Sequence, residues 1–233
     1  MSQPDFPPLS IVEAGHRWVV VNKPAGIGVE KHFQYDTVEM RALQQFRRLG
    51  ATKPPYIGIV HRLDRVSSGC LLLARNKSTL VNLQQQFERR EIQKIYWTLV
   101  RSAPPKESGQ LKHYLLKDRT GKKAIATSRA LNNAKLAELS YRLIKAENNY
   151  YLLEIDLHSG RFHQIRAQLA AIGCPIVGDR LYSGDIENDF VHEHRIALHA
   201  RRLSFKGIKA EGAQAQQLTI EAPLPDYWPI AGG

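Results

Sequence analysis

The sequence lacks long apolar segments. No apolar run approaches the roughly 20 residues that a membrane-spanning helix needs. The first ten residues, MSQPDFPPLS, are acidic and proline-rich, whereas a signal peptide begins with a basic region followed by an apolar stretch. We therefore expect a cytoplasmic protein with no membrane partner.

Cysteine is scarce as well. The two cysteines, Cys70 and Cys174, lie far apart and outside any CxxC spacing, which excludes a disulfide framework and a zinc ribbon. Both are predicted to be buried thiols. His192, His194 and His199 have no cysteine or acidic partner at a spacing typical of metal ligands, so we predict no metal site.

Acidic residues are outnumbered by basic ones. Thirty-three Lys and Arg against 22 Asp and Glu give a net charge of +11 and a pI of about 9.7. This balance favours binding to nucleic acid or another polyanion, although surface charge that serves only solubility is the alternative. With 233 residues, 43% of them apolar, the chain can bury a full core. We predict a single domain over residues 1–233, and two lobes around one cleft are compatible with this prediction.

The first third of the chain predicts short strands and two amphipathic helices. Strands are predicted at 17–21, 57–60 and 70–73, where short apolar runs are bounded by turn-forming residues. One helical face is formed by Val38, Ala42, Phe46 and Leu49. A second helix is predicted over 77–90, with Asn76 as its N-cap.

From Glu91 onward the hydrophobic pattern alternates and predicts strands. They are placed at 92–100, 111–116, 124–131, 139–144, 150–157, 196–205 and 218–222. Asn148-Asn149 is typical of a hairpin turn and so indicates antiparallel pairing. Ile165, Leu169 and Ile172 have helical spacing, and Gly173 ends that helix. The predicted fold class is mixed α/β (α+β) with a mostly antiparallel central sheet.

One carboxylate lies in a promising loop. Residues 57–77, IGIVHRLDRVSSGCLLLARNK, place Asp64 between Arg62 and Arg65 in a polar loop that joins two strands. Flanking strands fix the ends of such a loop, so its side chains can be aimed at a substrate. Two nearby guanidiniums favour the ionised carboxylate, which suits a nucleophile or a base. The alternative is a turn-capping aspartate that pairs with an arginine.

A second polar cluster stands at the start of the third predicted helix. Arg161, His163, Gln164 and Arg166 surround this helix start, while the apolar positions of the helix face the core. The N-terminus of a helix attracts anions, and two guanidiniums add to that attraction. A phosphate or carboxylate is therefore a plausible partner, and a solvated basic face is the alternative.

These segments carry a family resemblance. HRLDRVSSGCLLLA resembles the catalytic motif of the RluA-type RNA pseudouridine synthases. NKPAGIGV at 22–29, KIYW at 94–97 and SGRFHQIRAQLAAIGCPIVGD resemble further motifs of that family, and RIALHARRLSF and IEAPLPD resemble its C-terminal strands. The agreement spans residues 17–226 in one order, which is far more specific than any single short motif. Ser159 stands where the family usually has threonine.

The resemblance implies a fold and a reaction. The fold would be pseudouridine-synthase-like, with helices flanking the sheet and the active cleft at its middle. The reaction would be isomerisation of specific uridines in ribosomal or transfer RNA, without a cofactor. Asp64 would be the catalytic carboxylate, as a nucleophile on the sugar or as a base at C2′. Tyr96 would stack on the base and assist removal of the C5 proton, and Arg166 would pair with Asp64.

The resemblance also implies roles around this centre. His61, Arg62 and Arg65 would contact or extrude the target nucleotide in a structured stem-loop, with Arg62 filling the gap in the stack. RNA contacts are further expected from Arg161, His163 and Gln164. Apolar packing near the pocket is expected from Cys70, Leu71 and Ile165.

Substrate recognition is expected from the catalytic body and its basic surface, because the chain begins almost directly with the catalytic strands and without an S4-like domain. We expect a monomer. Two other functions stay open at this stage: an RNA-binding or RNA-folding module without catalysis, and a metal-free ribonuclease. The second is disfavoured because the sequence offers no paired histidines with a lysine.

Overall fold

Eleven strands and four helices occur within residues 6–32, 35–47, 51–183, 194–207 and 216–230, which the computed structural model of this protein describes. In chain order they are β1 (Ser10–Ala14), β2 (Trp18–Lys23), α1 (Val38–Gln45), β3 (Gly58–Ile59), β4 (Ser68–Ala74), α2 (Lys77–Glu88), β5 (Gln93–Val100), β6 (Ser108–Lys117), β7 (Ala124–Thr127), β8 (Lys135–Glu147), β9 (Tyr150–Leu157), α3 (Gln164–Ala171), α4 (Arg180–Ser183), β10 (Leu198–Lys206) and β11 (Gln217–Glu221). They form two compact units. Unit 1 comprises Met1–Ile92 and Arg202–Pro223, and unit 2 comprises Gln93–Arg201 and Leu224–Gly233.

Unit 1 is built on two deeply buried strands. Every residue of β4 is buried, and β2 is buried at all positions but one, as expected for valine- and leucine-rich strands covered on both faces. β2 pairs antiparallel with β1 on one side and with β4 on the other, and β3 also pairs with β4. The end of β10 pairs antiparallel with β11. The loop that carries Asp64 therefore connects β3 to a rigid strand.

The helices of unit 1 begin at side-chain caps. Oδ1 of Asn76 accepts a hydrogen bond from the backbone N–H of Thr79 at 2.8 Å, so the predicted cap of α2 is confirmed. Thr37 caps α1 in the same way. Of the face predicted for α1, Val38 and Ala42 are buried, and Leu49 lies outside the described residues.

Unit 2 is an antiparallel sheet in the order β5-β9-β8-β6-β7. The predicted hairpin turn between β8 and β9 is confirmed, because Asn148 and Asn149 have φ values of 51° and 61°, typical of a two-residue turn that matches strand twist. The predicted end of α3 is also confirmed by Gly173, whose φ is 77°. All named strand pairs within the two units are antiparallel, in agreement with the predicted fold class.

The predicted burial of the two cysteines can be checked in the described segments. Cys70 and Cys174 are both free thiols and both buried, as predicted. Burial raises the pKa of the Cys174 thiol. No helix in these segments is long and apolar enough to cross a membrane.

Candidate active site

Asp64 lies half-buried in the turn that leads into β4. Both the backbone N–H and the hydroxyl of Ser67 donate hydrogen bonds to the backbone oxygen of Asp64, at 3.2 and 3.0 Å. Ser67 itself is almost fully buried. The turn is thus fixed at its backbone by two hydrogen bonds from Ser67.

A buried lysine joins this turn to a second loop. The ammonium of Lys23, at the end of β2, donates to the backbone oxygens of Pro24 and Ile27 at 2.9 Å each and to that of Arg65 at 3.2 Å. The N–H of Gly26 donates to the oxygen of Arg65, and Nε of Arg65 donates to the oxygen of Gly26, both at 2.8 Å. We call these five hydrogen bonds the Lys23 clamp. It holds the residue after Asp64 in place.

Opposing effects act on the pKa of the Lys23 ammonium. Burial lowers the pKa of Lys23 from 10.5 to about 7, the carboxylate of Asp64 opposes this shift, and the guanidiniums of Arg41 and Arg65 reinforce it. An anion at Asp64 therefore favours the charged form of Lys23. Sequence reasoning missed Lys23 as a site residue, although a lysine that follows a buried strand directly in NKPAG was a usable signal.

The side chains that flank Asp64 point to different partners. Arg62 forms an exposed ion pair with Glu30 at 2.9 Å. The guanidinium of Arg65 lies over the ring of Tyr35, 5.6 Å from its centroid. Within unit 1, Lys23 is a cation that interacts electrostatically with Asp64. Its role was not predicted from the sequence.

His61 is held by contacts inside unit 1. Its Nε2 accepts a hydrogen bond from the backbone N–H of Leu72 at 3.1 Å, and its ring lies 4.8 Å from that of Phe87. The first contact fixes the imidazole against β4 and the second against α2. This arrangement suits a residue that positions the Asp64 loop.

In unit 2, Arg166 lies buried in α3. Its Nε and Nη2 donate to the two carboxylate oxygens of Asp179, at 2.7 and 2.9 Å, in a bidentate ion pair whose side chains are 6% and 1% exposed. This pair uses two of the five N–H donors of a guanidinium. The ring of Tyr182 lies 5.1 Å from Cζ of Arg166. Sequence reasoning missed Asp179, which stands at the end of the quoted motif.

Tyr96 lies on β5 opposite Ile155 of β9 and is 8% exposed. Its neighbour Trp97 points to the other face of the sheet, as alternation requires, and its Nε1 donates to Glu154 at 3.3 Å. The rings of Tyr96 and Trp97 therefore lie on opposite faces of the sheet of unit 2.

Gln164 locks the turn that precedes α3. Its side-chain oxygen accepts from the Ser159 hydroxyl at 2.9 Å and from the N–H of Arg161 at 3.0 Å, and its Nε2 donates to the oxygen of Glu138 at 3.0 Å. The residue is buried. The amide of Gln164, a residue predicted to contact RNA, holds this turn against β8.

His163 stands before α3 and not within it. It has φ of 51° in the left-handed region, and its ring stacks on Phe162 with centroids 3.8 Å apart. Its Nδ1 is 3.1 Å from the hydroxyl of Tyr182. Arg161 is exposed and donates from Nε to the oxygen of Leu136 at 3.0 Å. The predicted cluster of Arg161, His163, Gln164 and Arg166 thus lies around the start of α3, where Gln164 and Arg166 are buried and Arg161 is exposed.

The remaining predicted positions are apolar or concern metals. Cys70 and Leu71 in β4 and Ile165 in α3 are all buried. Among the described residues, no group of three or more His, Cys, Asp or Glu side chains is arranged to hold a metal ion. His199 packs edge-on against Trp228, and His192 lies outside the described residues.

Comparison with known families shows that these residues lie within one matched segment. The profile of the RNA pseudouridylate synthase family matches residues 17–171, which is more than half of the chain and includes Asp64, Tyr96 and Arg166. The chain belongs to this family. Among curated pseudouridine synthases, the ribosomal large subunit pseudouridine synthase C of Rickettsia bellii is 31% identical over 211 residues, covering 90% of this chain and 66% of the relative.

Two further relatives agree. An uncharacterized RNA pseudouridine synthase of Chloroflexus aurantiacus is 34% identical over 206 residues, covering 88% of this chain and 62% of that protein. The chain therefore spans just under two thirds of the length of these curated pseudouridine synthases. The solved structure of human RNA pseudouridylate synthase domain containing 1 has a TM-score of 0.75 at 23% identity and covers 97% of this chain and 87% of that one. This likeness confirms the pseudouridine synthase fold.

Proposed function

We propose that this protein isomerises specific uridines in RNA to pseudouridine. The proposal is carried by Asp64, a carboxylate on a clamped loop within the segment that matches the RNA pseudouridylate synthase family. The net charge of +11 supports a polyanionic substrate. Ribosomal or transfer RNA is the proposed substrate class. Two relatives of this protein are named ribosomal large subunit pseudouridine synthases C and D, which supports ribosomal RNA as the substrate.

The reaction exchanges one bond to the sugar for another. The bond between N1 of uracil and C1′ of ribose breaks, the uracil turns, and C5 bonds to C1′. The proton on C5 is released and N1 takes up a proton, so the product is an isomer of the substrate. The reaction needs neither redox chemistry nor a second substrate, which agrees with our proposal that the protein uses no cofactor.

Asp64 is proposed as the catalytic carboxylate. As an anion it can attack C1′ or remove the C2′ proton, and both routes need it ionised and aimed. The Lys23 clamp supports the aiming of this carboxylate because it fixes the backbone of Arg65, the residue that follows Asp64.

Arg166 and Tyr96 are proposed to act with Asp64. Arg166 is oriented by Asp179, whose bidentate pair leaves the guanidinium little rotational freedom. A guanidinium fixed in this way can present further N–H donors to a second carboxylate, and we propose Asp64 for that position. Tyr96, held by β5, is proposed to stack on the uracil and to assist loss of the C5 proton.

Arg62 is proposed to enter the RNA stack when the target nucleotide is extruded. Its exposed pair with Glu30 is weak enough to exchange for RNA contacts, since exposed ion pairs contribute at most about 1 kcal/mol. Arg65 and His61 are proposed to position the loop. We further propose that the protein works as a monomer in the cytoplasm.

The test uses RNA labelled with tritium at C5 of uridine. The wild-type protein is expected to release tritium from total RNA, because C5 loses its proton in the reaction. Asp64→Asn has nearly the same shape but lacks the nucleophile and base, so it should release none while still binding RNA. Tritium release by the variant at a substantial fraction of the wild-type rate contradicts the role of Asp64, and binding without any release by the wild type indicates an RNA-binding module.

A further inference from the structure

A groove in unit 2 is unused by the proposed chemistry. It has a volume of about 560 Å³, within the range of roughly 300–1,000 Å³ typical of small-ligand sites. Its lining comes from β6, β7, the turn before β8, the first residue of β8 and the turn before α3. The floor includes Leu115 and Ala124, which are both 4% exposed, so the groove rests on the core of this unit.

The polar lining of the groove is basic. Lys117, Lys135 and Arg161 contribute three exposed cations, and no carboxylate is found among its lining residues in the described part of the chain. Asn132 and Asn133 add amides that can both donate and accept hydrogen bonds. This combination suits a ligand that carries a phosphate next to a group with hydrogen-bonding edges.

An exposed aromatic ring stands in the groove. Phe162 is 39% exposed, whereas phenylalanine is usually buried, and it lines the groove next to Arg161. The His163 ring stacks against it, and the ammonium of Lys117 lies 5.0 Å from its centroid. A ring that is backed by a second ring and has a flexible cation over it combines the aromatic and cationic groups with which proteins hold an unpaired nucleobase and its phosphate.

Ring contacts and one hydrogen bond connect this ring to Arg166. The imidazole of His163, stacked on Phe162, is 3.1 Å from the hydroxyl of Tyr182, and the ring of Tyr182 lies beside the Arg166 guanidinium. The same hydroxyl accepts from the N–H of Ala124 at 2.7 Å, on the floor of the groove. The groove and Arg166 therefore share one packed cluster within unit 2.

We propose that this groove binds one unpaired nucleotide of the RNA substrate, other than the target uridine, by stacking its base on Phe162. The flexible side chain of Lys117 moves from the ring to the phosphate of that nucleotide, and Arg161 contacts the adjoining phosphate. The inference rests on the proposed function for its choice of RNA as the ligand. It adds a specificity site that selects RNAs with an unstacked base near the target.

The test is a binding measurement that needs no turnover. The probe is an eight-nucleotide uridine oligomer with one central 2-aminopurine, whose fluorescence falls when the base stacks. The wild-type protein should quench the probe on binding. Phe162→Ala should remove the quenching and weaken binding by roughly tenfold, because stacking on an aromatic ring is worth about 1–3 kcal/mol per base. Phe162→Trp should keep both.

Two further variants control for packing and for general aromatic surface. Phe162→Leu keeps the apolar volume but not the π-face, so it should behave as Phe162→Ala and remain folded. Tyr56→Ala removes a ring of similar exposure, 42%, in unit 1 and should leave quenching unchanged. Equal quenching by the wild type and Phe162→Leu, or no quenching by the wild type, overturns the groove site.

Turnover separates this inference from the proposed function. In tritium release from total RNA, Phe162→Ala should raise KM several-fold and leave kcat close to the wild-type value. Release by a wild-type protein that does not quench the probe refutes the groove and leaves the proposed function standing. Quenching without release refutes the proposed function and leaves a nucleotide-binding groove.

Discussion

The buried ammonium of Lys23 should give the protein a specific dependence of stability on pH. Its pKa is about 7 in the folded protein, against 10.5 for an ordinary lysine. The unfolded chain therefore binds this proton over a pH range in which the folded protein has released it, so the free energy of unfolding rises with pH through that range. The gain is complete above about pH 10.5 and is lost as the pH falls toward 7.

The magnitude can be isolated with Lys23→Met, which removes the titrating group and keeps a side chain of similar length. Between about pH 6.5 and 9.5 the shift corresponds to about 3 kcal/mol in the free energy of unfolding. Urea denaturation at a series of pH values gives the free energy of unfolding of the wild type and of Lys23→Met. As the pH rises, the wild-type value should increase relative to that of the variant by this amount. Lys77→Met, at the exposed start of α2, is the matched control and should show no such change.

A difference that stays constant from about pH 6.5 to 9.5 refutes the reasoning. It would mean that the three carbonyl oxygens and Asp64 keep Lys23 protonated despite its burial. In that case the Lys23 clamp would be permanently charged, and the role of burial in unit 1 would have to be revised.

Three further predictions concern the proposed site. Arg166→Lys keeps the charge but cannot form the bidentate pair with Asp179, so tritium release should fall at least tenfold with little loss of RNA affinity; near-wild-type release shows that the planar geometry is unimportant. Asp179→Asn breaks a buried pair and should cost about 3–5 kcal/mol of stability, seen as a lower melting temperature, whereas Glu30→Gln in the exposed pair with Arg62 should cost at most about 1 kcal/mol. Equal shifts for both variants contradict this account. Arg62→Ala should slow the reaction on a stem-loop far more than on a short unstructured RNA, because unstacking costs a few kcal/mol only in the former; equal losses show that Arg62 acts by charge alone.

Local chemistry explains which elements could be predicted from the sequence. The cap at Asn76, the turn at Asn148-Asn149 and the stop at Gly173 each depend on residues within a few positions, and all three are confirmed. β1 was not predicted, because its residues are mostly exposed and show no buried periodicity. β3 is only two residues long, shorter than predicted, since its pairing with β4 covers just Gly58 and Ile59.

The site required information that short sequence patterns do not contain. Lys23 reaches a carbonyl 42 positions away, and although its place at the end of a buried strand is a signal of burial, no local pattern identifies Arg65 as its partner. Asp179 lies 13 positions beyond Arg166, across the end of α3, so helical spacing could not relate the two. The motifs identified Asp64, Tyr96 and Arg166 as candidates, while the residues that hold Lys23, Asp64 and Arg166 in position became visible only after folding.

The Lys23 clamp has a consequence for incomplete proteins. Its hydrogen bonds connect residues 23–27 to Arg65, so the loop of Asp64 depends on a strand that precedes it by some forty positions. A truncated gene product that starts after Ile27 keeps HRLD and every later motif in its sequence, yet it lacks the lysine, the carbonyl oxygens of Pro24 and Ile27, and the glycine that fix this loop. A fragment of this protein with an intact HRLD motif is therefore expected to hold Asp64 in its loop only if the NKPAG segment is present as well.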